Sequence, residues 1–360
     1  MFTIGVWNTA FLGDAVLTLP LIQALREAYP QATIDFWVRR GFGPLFAPHS
    51  AISEVHEYDK RGKDKGLLNA LRLGARLGRG RYSLWLSAHT SLRSAMIARW
   101  TGANVRIGYD RPRSNAWFYT HLVPRRFGEL EELERLLQLL RPLELAGGCT
   151  PLQVWPEIGL SAEAVRAAEM FYSALASTYP DSPVLGLHPG SNWGTKRWLP
   201  EHYATAAAWA AKEGAVALIF GGADEKAVAA EVATRAAEML PETVKSRVVD
   251  VSGMWALPEL AAIIKGLACY VTNDSGPMHL AWTQHVPVTA IFGPTTRGLG
   301  FFPRGETSSV IEVDLPCRPC GMHGPQVCPL GHHNCMRFVT PEMVWQDIAP
   351  KLFNTRARSI

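Results

Sequence analysis

Residues 269–279 read Cys-Tyr-Val-Thr-Asn-Asp-Ser-Gly-Pro-Met-His, an apolar run that passes into small and polar residues. The apolar run predicts a buried strand, and Ser275 and Pro277 predict a helix that begins beside it, as N-cap and first-turn residue. Such a helix start presents unpaired backbone N–H groups and a positive dipole to an anion. Asp274–His279 is therefore a candidate diphosphate site, with His279 as a further donor. A well-capped strand-to-helix turn without a ligand explains the same residues.

Strand and helix signals alternate on both sides of this segment. Strand-like runs occur in the second half at 184–188, 216–220, 248–251 and 287–292, and in the first half at 3–7, 33–38, 84–87 and 105–108. Helical patterns lie between them, which predicts parallel βαβ units. Ligands of such sheets bind beyond the carboxyl ends of the strands. We predict an α/β fold of the GT-B type, with two Rossmann-like doubly wound domains facing a central cleft.

The chain length of 360 residues also favours two domains, because a single hydrophobic core rarely grows so large. A stretch bounded by prolines at 151–156 is typical of a linker. The predicted boundaries are 1–158 for an N-terminal domain and 159–345 for a C-terminal domain. Residues 346–360 are expected to form a tail that packs back on the N-terminal domain.

Composition restricts the classes of function. Lys and Arg number 36 against 32 Asp and Glu, a net charge of +4 that is too weak to indicate a nucleic-acid-binding protein. No apolar run reaches the roughly 18–20 residues of a membrane span, and the N-terminus lacks the features of a signal peptide, so we expect a cytoplasmic protein. Basic clusters such as Lys60–Lys65 suit an anionic substrate or membrane surface, although solvated loop charges give the same pattern.

A second loop with a phosphate-binding composition, Gly190-Ser-Asn-Trp-Gly-Thr-Lys196, follows the strand run at 184–188. It is one residue short of a P-loop, and no helix signal follows it directly, so we exclude a P-loop NTPase. Neither half contains the G-x-G-x-x-G fingerprint of dinucleotide-binding domains. The loop still offers backbone N–H groups, the Ser191 hydroxyl and the cations Lys196 and Arg197, which suit a phosphate.

Two carboxylates also follow predicted strands. Glu225 comes after the run at 216–220 and suits the two ribose hydroxyls of a nucleotide. Asp14 comes after the run at 3–7 and suits a general base for an acceptor hydroxyl. Acidic residues also favour the first turn of a helix, where they offset the helix dipole, so each position has an ordinary structural explanation as well.

One segment carries a metal-ligand pattern. Four cysteines within about twenty residues suit a tetrahedral S₄ site for zinc or iron: Cys317, Cys320, Cys328 and Cys335. Reduced cysteines that only pack are the alternative, as we expect of Cys149 and Cys269. The D-x-D triplet of metal-dependent glycosyltransferases is absent from the sequence. In a glycosyl transfer, the charge of the leaving group would therefore be offset by Lys196, Arg197 and the helix start at Gly276.

Four motifs occur in order along the chain: Leu12-Gly-Asp14, then His188-Pro-Gly-Ser191 with Lys196-Arg-Trp198, then Asn273–His279, then Phe292-Gly-Pro-Thr295. Together they resemble the ADP-heptose:lipopolysaccharide heptosyltransferases, glycosyltransferase family nine, over nearly the whole chain. The stretch at 328–335, Cys-Pro-Leu-Gly-His-His-Asn-Cys, is most similar to the heptosyltransferase II branch of that family.

The resemblance implies an inverting, metal-independent transfer of L-glycero-D-manno-heptose from ADP-heptose to the inner core of lipopolysaccharide, at the cytoplasmic face of the inner membrane. It implies that Asp14 deprotonates the acceptor hydroxyl and that Lys196 stabilises the departing diphosphate. The implied nucleotide-sugar site in the C-terminal domain contains Ser191, Arg197, Glu225, Asp274, Ser275, Gly276, Pro277 and His279. The implied acceptor site in the N-terminal domain contains Lys60, Arg61, Lys63, Arg93 and Arg113. No cofactor is required for catalysis, and any zinc or iron would be structural.

Two alternatives stay open from the sequence. A family-nine enzyme with another donor, or with another acceptor such as a different core sugar or a protein hydroxyl, would keep the fold. A nucleotide-sugar epimerase or a binding protein of the same architecture is the alternative outside the transferases, and the presence of both Asp14 and Lys196 counts against it. The loop Asn8-Thr-Ala-Phe11 departs from relatives that carry a lysine and serines there, which leaves the acceptor contacts open.

Overall fold

The computed structural model describes residues 2–78, 82–145 and 155–353. They form two compact units that divide between Leu160 and Ser161, close to the predicted boundary after residue 158. Each unit is built on a sheet of six strands, and the paired strands are parallel. Within the described ranges, no helix has the length and apolar character needed to cross a membrane.

The N-terminal unit carries its strands in the order β3-β2-β1-β4-β5-β6. The strands are β1 (Thr3–Asn8), β2 (Thr33–Arg39), β3 (Glu54–Tyr58), β4 (Leu84–Ser87), β5 (Val105–Tyr109) and β6 (His121–Val123). The helices are α1 (Leu12–Leu17), α2 (Leu19–Ala28), α3 (Gly43–Phe46), α4 (Leu67–Leu77), α5 (Leu92–Trp100) and α6 (Glu132–Leu137), with 3₁₀ turns at Arg113–Phe118 and Gln138–Leu143.

The C-terminal unit repeats this arrangement in the order β9-β8-β7-β10-β11-β12. The strands are β7 (Val184–His188), β8 (Val216–Ile219), β9 (Val248–Asp250), β10 (Cys269–Asn273), β11 (Val288–Ile291) and β12 (Ser309–Ile311). The helices are α7 (Ala162–Thr178), α8 (Pro200–Lys212), α9 (Lys226–Glu238), α10 (Leu257–Lys265), α11 (Gly276–Trp282), α12 (Asn334–Arg337) and α13 (Pro341–Phe353), with 3₁₀ turns at Gly194–Lys196, Lys245–Arg247 and Arg297–Leu299.

Both units have the strand order of a doubly wound Rossmann sheet, so the predicted α/β class is confirmed. The winding direction reverses between β1 and β4 in the first unit and between β7 and β10 in the second. At such a switch point the loops beyond the strand ends diverge to opposite faces of the sheet and leave a crevice for a ligand. Asp14 follows β1, and the two predicted phosphate loops follow β7 and β10, so the candidate residues lie at the switch points.

Two helical segments are interrupted in the structure, and each contains a proline. Thr18 ends α1, and α2 begins at Leu19 with Pro20 in its first turn, because a proline inside the turn cannot donate to the preceding carbonyl. The second segment is α6, which is followed directly by a 3₁₀ turn that contains Pro142. Neither interruption moves a candidate site residue.

The two cores have different compositions. Aromatic rings fill the N-terminal core, where Trp7 lies 5.7 Å from Trp37 and 5.9 Å from Trp85 between ring centroids. Small residues dominate the C-terminal core, where α8 buries seven residues, of which six are alanines. Close packing of α8 against β7 and β8 fixes the strands whose ends carry the candidate loops.

Residues 346–353, which the sequence assigns to a separate tail, form the second part of α13. This helix packs on α8 and on β10, β11 and β12 of its own unit, because Val344, Ile348 and Leu352 form a buried stripe at helical spacing. The rest of the predicted tail, 354–360, lies outside the described residues.

Candidate functional site

The loops after β7 and β10 are tied together by one buried side chain. Asn273, the last residue of β10, donates from Nδ2 to the carbonyls of Pro189 at 3.0 Å and Gly190 at 3.1 Å. Its Oδ1 accepts the backbone N–H of Trp198 at 2.9 Å. Because Asn273 is fully buried, these bonds replace water and fix the loop at 189–198 against the switch point.

Lys196 and Asp274 form a buried ion pair at this point. Lys196 Nζ lies 2.5 Å from Asp274 Oδ2, and the two side chains are 9% and 10% exposed. The Thr295 hydroxyl, in the loop after β11, donates to the same oxygen at 2.6 Å. Three loops from three neighbouring strands therefore converge on one carboxylate, which holds a cation at the carboxyl edge of the sheet.

Glu225 is anchored within the same edge. Its Oε2 accepts the backbone N–H of Gly222 at 2.9 Å and lies 3.0 Å from His188 Nε2, while His188 Nδ1 lies 2.9 Å from the Tyr270 hydroxyl. Burial opposes ionisation of Glu225, but the hydrogen bond and charge of His188 and the Gly222 amide outweigh it and lower the pKa of Glu225 to about 2. The carboxylate is therefore ionised and oriented before any ligand binds.

The helix start at α11 has the predicted N-cap, Ser275, but not the predicted capping bond. The Ser275 hydroxyl pairs with the Thr272 hydroxyl at 3.2 Å, and the N-cap side chain accepts no amide of the first turn. Gly276 and Pro277 follow at the first two helical positions, and all three residues are partly accessible. The start of α11 thus keeps backbone donors for another acceptor.

His279, Ser191 and Arg197 lie around this pair in different environments. Burial is the main cause that lowers the pKa of His279 to about 4, and its Nδ1 accepts from Trp282 Nε1 at 3.0 Å, so its neutral ring carries its proton on Nε2. Arg197 is exposed and donates from Nε to the Ser191 carbonyl at 2.9 Å. The predicted C-terminal residues are therefore brought together at one edge.

In the N-terminal unit, Asp14 lies in the first turn of α1, and its Oδ2 accepts the Phe11 N–H at 3.1 Å. Burial is the main cause that raises the pKa of Asp14 to about 6, and the charge of Glu132 adds to it. The Phe11 amide and Arg125 act in the opposite direction. Asp14 is therefore a carboxylate whose proton affinity is close to that of a histidine, a value suited to a general base near neutral pH.

Two of the predicted basic residues join Asp14 at the same edge. Lys60 donates from Nζ to the Thr9 carbonyl at 2.8 Å, and Arg93 donates to the Lys60 carbonyl at 3.4 Å. Burial, helped by Arg39 and Arg61, lowers the pKa of Lys60 to about 8, while Asp14 raises it. The remaining three, Arg61, Lys63 and Arg113, are exposed on loops, and the structure gives them no contact with Asp14.

The structure adds two residues that the sequence argument missed, Arg125 and His89. Arg125 forms a 2.7 Å ion pair with Glu132 and lines an open cavity of about 430 Å³ together with Arg111 and Arg126. Burial lowers the pKa of His89 to about 4, and Lys60 and Arg125 add to the effect. The pair Arg125-Arg126 is visible in the sequence as a basic cluster, but only the folded chain brings it near Asp14.

The structure groups a different set of ligand-type side chains from the four cysteines that the sequence predicts. Among the described residues, one set of ligand-type side chains has all its candidate atoms within 4.8 Å of one another: Asp35, Glu54 and His56. Tyr82 donates to Asp35 at 2.7 Å and His56 lies 3.2 Å from the same oxygen, so polar contacts with the buried Asp35 account for this set. The four cysteine sulfurs are more widely spaced, and Cys149 lies outside the described residues.

The sequence of this chain matches a known enzyme family. The family model described as glycosyltransferase family 9 (heptosyltransferase) matches residues 70–326. The chain belongs to glycosyltransferase family 9. It is 29% identical to lipopolysaccharide heptosyltransferase 1 of Pseudomonas aeruginosa, over 87% of this chain and 84% of the relative, and 28% identical to lipooligosaccharide heptosyltransferase 2 of Haemophilus influenzae, over 94% and 96%.

The fold agrees with that of a solved family-nine enzyme. The structure of Escherichia coli ADP-heptose lps heptosyltransferase II matches with a TM-score of 0.74 and 22% identity, over 98% of this chain and 99% of that one. The predicted GT-B type fold and the family resemblance are both confirmed, and the protein is a glycosyltransferase.

The close approach of Gly190 to Glu225 provides a test of how firmly the Glu225 carboxylate is held in place. A Cβ atom on Gly190 would lie 2.1 Å from Glu225 Cδ, so Gly190→Ala must displace the carboxylate from His188. We expect a loss of about 1–3 kcal/mol in the free energy of unfolding at pH 7, measured by urea denaturation. Because Glu225 stabilises the fold above the unfolded pKa of 4.5 and loses this as the pH falls towards about 2, the difference should shrink at acid pH.

Gly298→Ala is the matched control, because the nearest atom to its added Cβ is Thr296 Oγ1 at 3.7 Å. It should change the free energy of unfolding by less than about 0.5 kcal/mol. Equal effects of the two substitutions, or a Gly190→Ala effect that does not depend on pH, would contradict the proposed rigidity.

Proposed function

We propose that this protein transfers L-glycero-D-manno-heptose from ADP-heptose to the inner core of lipopolysaccharide, with inversion and without a metal ion in catalysis. The observation that carries the proposal is the buried Lys196–Asp274 pair at the switch point of the second sheet. The names of the relatives, which include lipopolysaccharide heptosyltransferase and ADP-heptose lps heptosyltransferase, support the donor and the acceptor.

On the donor side, we assign the diphosphate to Lys196 and to the backbone donors at Ser275 and Gly276. Because Asp274 already holds the Lys196 ammonium group in place, binding of a diphosphate would require little further reorganisation of that group. Ser191 and Arg197 supply further donors at the rim, with Pro277 and His279 completing the start of α11. These groups would offset the negative charge that develops on the leaving ADP, which is the task of a metal ion in metal-dependent transferases.

Two carboxylates suit the sugars of the donor. Both hydrogen bonds of Glu225 fall on Oε2, and we assign its Oε1 to the ribose hydroxyls. Both polar contacts of Asp274 likewise fall on Oδ2, and we assign its Oδ1 to the heptose hydroxyls. Ionised carboxylates accept hydrogen bonds from two neighbouring hydroxyls, and this makes them suitable for vicinal diols.

On the acceptor side, we assign Asp14 as the general base. Its carboxylate takes the proton of the acceptor hydroxyl, the hydroxyl oxygen forms the new bond to the anomeric carbon of heptose, and the bond from that carbon to the ADP oxygen breaks. One displacement at the anomeric carbon inverts its configuration. Asp14 is the only carboxylate that we place in the reaction, which agrees with a single displacement rather than a double one.

The cations near Asp14 suit a negatively charged acceptor. Lys60 and Arg125 lie near the base and Arg93 lies beside Lys60, and we assign these three cations to the phosphates and Kdo carboxylates of the inner core. The exposed Arg61, Lys63 and Arg113 would extend this field towards the rest of the acceptor. Since this acceptor is anchored in lipid, we also propose peripheral contact with the cytoplasmic face of the inner membrane.

The proposal is tested by a panel of donors and acceptors. The full chain is incubated with ADP-heptose, ADP-glucose or UDP-glucose and with Kdo-lipid or heptosyl-Kdo-lipid, and products are identified by mass spectrometry. We expect the enzyme to transfer heptose from ADP-heptose to heptosyl-Kdo-lipid. We expect no transfer of glucose from ADP-glucose or UDP-glucose. Transfer to another sugar or to a protein hydroxyl would replace the acceptor assignment, and transfer from another donor would contradict the donor assignment.

The role of Asp14 predicts a specific pH dependence. A base must be deprotonated, so kcat/KM should rise with pH through about 6, the pKa of Asp14, and fall above about 8, where Lys60 loses its charge. Asp14→Asn should lower kcat about 10²–10⁴-fold and leave the affinity for ADP unchanged. Glu27→Gln, an exposed acid of α2, is the control and should change neither. A fully active Asp14→Asn enzyme would remove Asp14 from the mechanism.

A further inference from the structure

The cysteine segment, defined here as residues 317–335, contains two similar turns. In each, a cysteine is followed three or four residues later by a glycine with a left-handed backbone: Gly321 with φ +95 after Cys317, and Gly331 with φ +71 after Cys328. In the first turn the Cys320 thiol lies against the Cys317 carbonyl. In the second, the backbone amides of residues 330–333 lie near the Cys328 sulfur. Backbone groups beside a cysteine sulfur can orient it as outer-shell partners do in a metal site.

The fourth ligand position of an S₄ set is present in the same segment. Cys335 is buried in the first turn of α12, seven residues after Cys328. No three of the sulfurs lie within 4.8 Å of one another, whereas zinc–sulfur bonds of about 2.3 Å require sulfurs about 3.8 Å apart. An ion would therefore draw the two turns and α12 together.

The cysteine segment is bonded to the loop that carries Lys196. Gln326 accepts the Gly194 N–H at 3.1 Å and donates to the Asn192 carbonyl at 2.9 Å. The Pro325 carbonyl accepts both the backbone N–H of Thr195 at 3.4 Å and its hydroxyl at 2.5 Å. Residues 192–195 are thus held by the stretch between the second and third cysteines.

Histidines of the segment add two further contacts to this loop. His333 Nε2 lies 2.8 Å from the Thr195 carbonyl, directly before Lys196. The His323 ring stacks on Trp193, with centroids 5.8 Å apart and planes inclined by 4°. His323 and His333 therefore both contact the loop that carries Lys196.

The first turn reaches the loop after β11 in the same way. Arg318, between the first two cysteines, donates to the carbonyls of Gly293 and Thr295, the latter at 2.7 Å, and pairs with Glu312 at 2.7 Å. Thr295 is the residue whose hydroxyl donates to Asp274. The cysteine segment thus holds the loop that carries Lys196 and the loop that carries Thr295, the hydroxyl donor to Asp274.

We propose that Cys317, Cys320, Cys328 and Cys335 bind one zinc or iron ion as a tetrahedral thiolate site, and that this ion positions Lys196 by fixing the cysteine segment. The four cysteines are ligands and Lys196 is positioned through Gln326, Pro325 and His333. The metal site stands apart from the proposed function, and only its effect on ADP binding rests on that function.

The test begins with the metal content of the full chain, purified without added metal and without chelators. Elemental analysis should give about one ion per chain, and visible iron–thiolate absorption distinguishes iron from colourless zinc. Cys320→Ser and Cys328→Ser should each lose the ion. Cys269→Ala, which removes the buried thiol of β10, should keep it. A metal-free wild-type chain that takes up neither Zn²⁺ nor Fe²⁺ after reduction, or a disulfide within the segment found by mass spectrometry, would overturn the site.

Positioning is tested by amide hydrogen exchange, which needs no substrate. Loss of the ion, by Cys328→Ser or by chelation of wild type, should raise exchange of the amides at 192–196 at least about tenfold and leave strand β1 unchanged. ADP affinity should fall in parallel. Unchanged exchange at 192–196 after loss of the ion would overturn the positioning role. Failure of wild type to bind ADP would instead count against the proposed function, because metal content and exchange are measured without nucleotide.

Discussion

The ion pair between Lys196 and Asp274 is the interaction on which the C-terminal edge depends. A charged lysine in a buried site without a partner would be strongly unfavourable, and loss of one member of such a pair typically costs about 3–5 kcal/mol. The pair can form only when the loops after β7 and β10 lie side by side. Thr295, in the loop after β11, donates to the same oxygen of Asp274. The carboxylate of Asp274 therefore holds together three loops that follow three separate strands.

The N-terminal edge uses burial for a different purpose. Asp14 has no direct ion pair within the part of the chain that the structure describes, and its pKa of about 6 lies above the unfolded value of 3.8. A carboxyl whose pKa is raised in the folded state stabilises the fold below pH 3.8 and loses this contribution as the pH rises through about 6. Ionisation of Asp14 at neutral pH thus lowers the stability of the fold. Such a loss of stability is expected of a residue that serves in proton transfer.

Local sequence signals were sufficient for much of the fold and for the residues that follow strands. Asp14, the Ser191–Lys196 loop and Ser275 were found because each stands directly after an apolar run, where position along the chain already fixes the edge of the sheet. Three strands, β3, β6 and β12, were missed. They are short edge or near-edge strands of mixed polarity, such as Glu-Val-His-Glu-Tyr in β3, and lack the continuous apolar pattern of buried parallel strands.

Contacts between residues distant in sequence could not be found this way. Lys196 and Asp274 are 78 residues apart, and nothing local marks them as partners. Arg125 and His89 join Asp14 only through the order of the strands. The same limit explains why the cysteine pattern suggested only a structural site. Its hydrogen bonds to Asn192, Gly194 and Thr195 span more than a hundred residues and exist only in the folded unit.

The central claim, that Lys196 at this edge holds the diphosphate of a nucleotide, is tested most directly by comparing ADP with AMP. Calorimetric titration of both nucleotides isolates the contact with the second phosphate. We expect wild type to favour ADP over AMP, Lys196→Met to reduce this preference at least about tenfold, and Lys196→Arg to keep part of it. Lys226→Met, an exposed lysine of α9, should leave it unchanged. An unaltered ADP preference in a folded Lys196→Met protein would contradict the account.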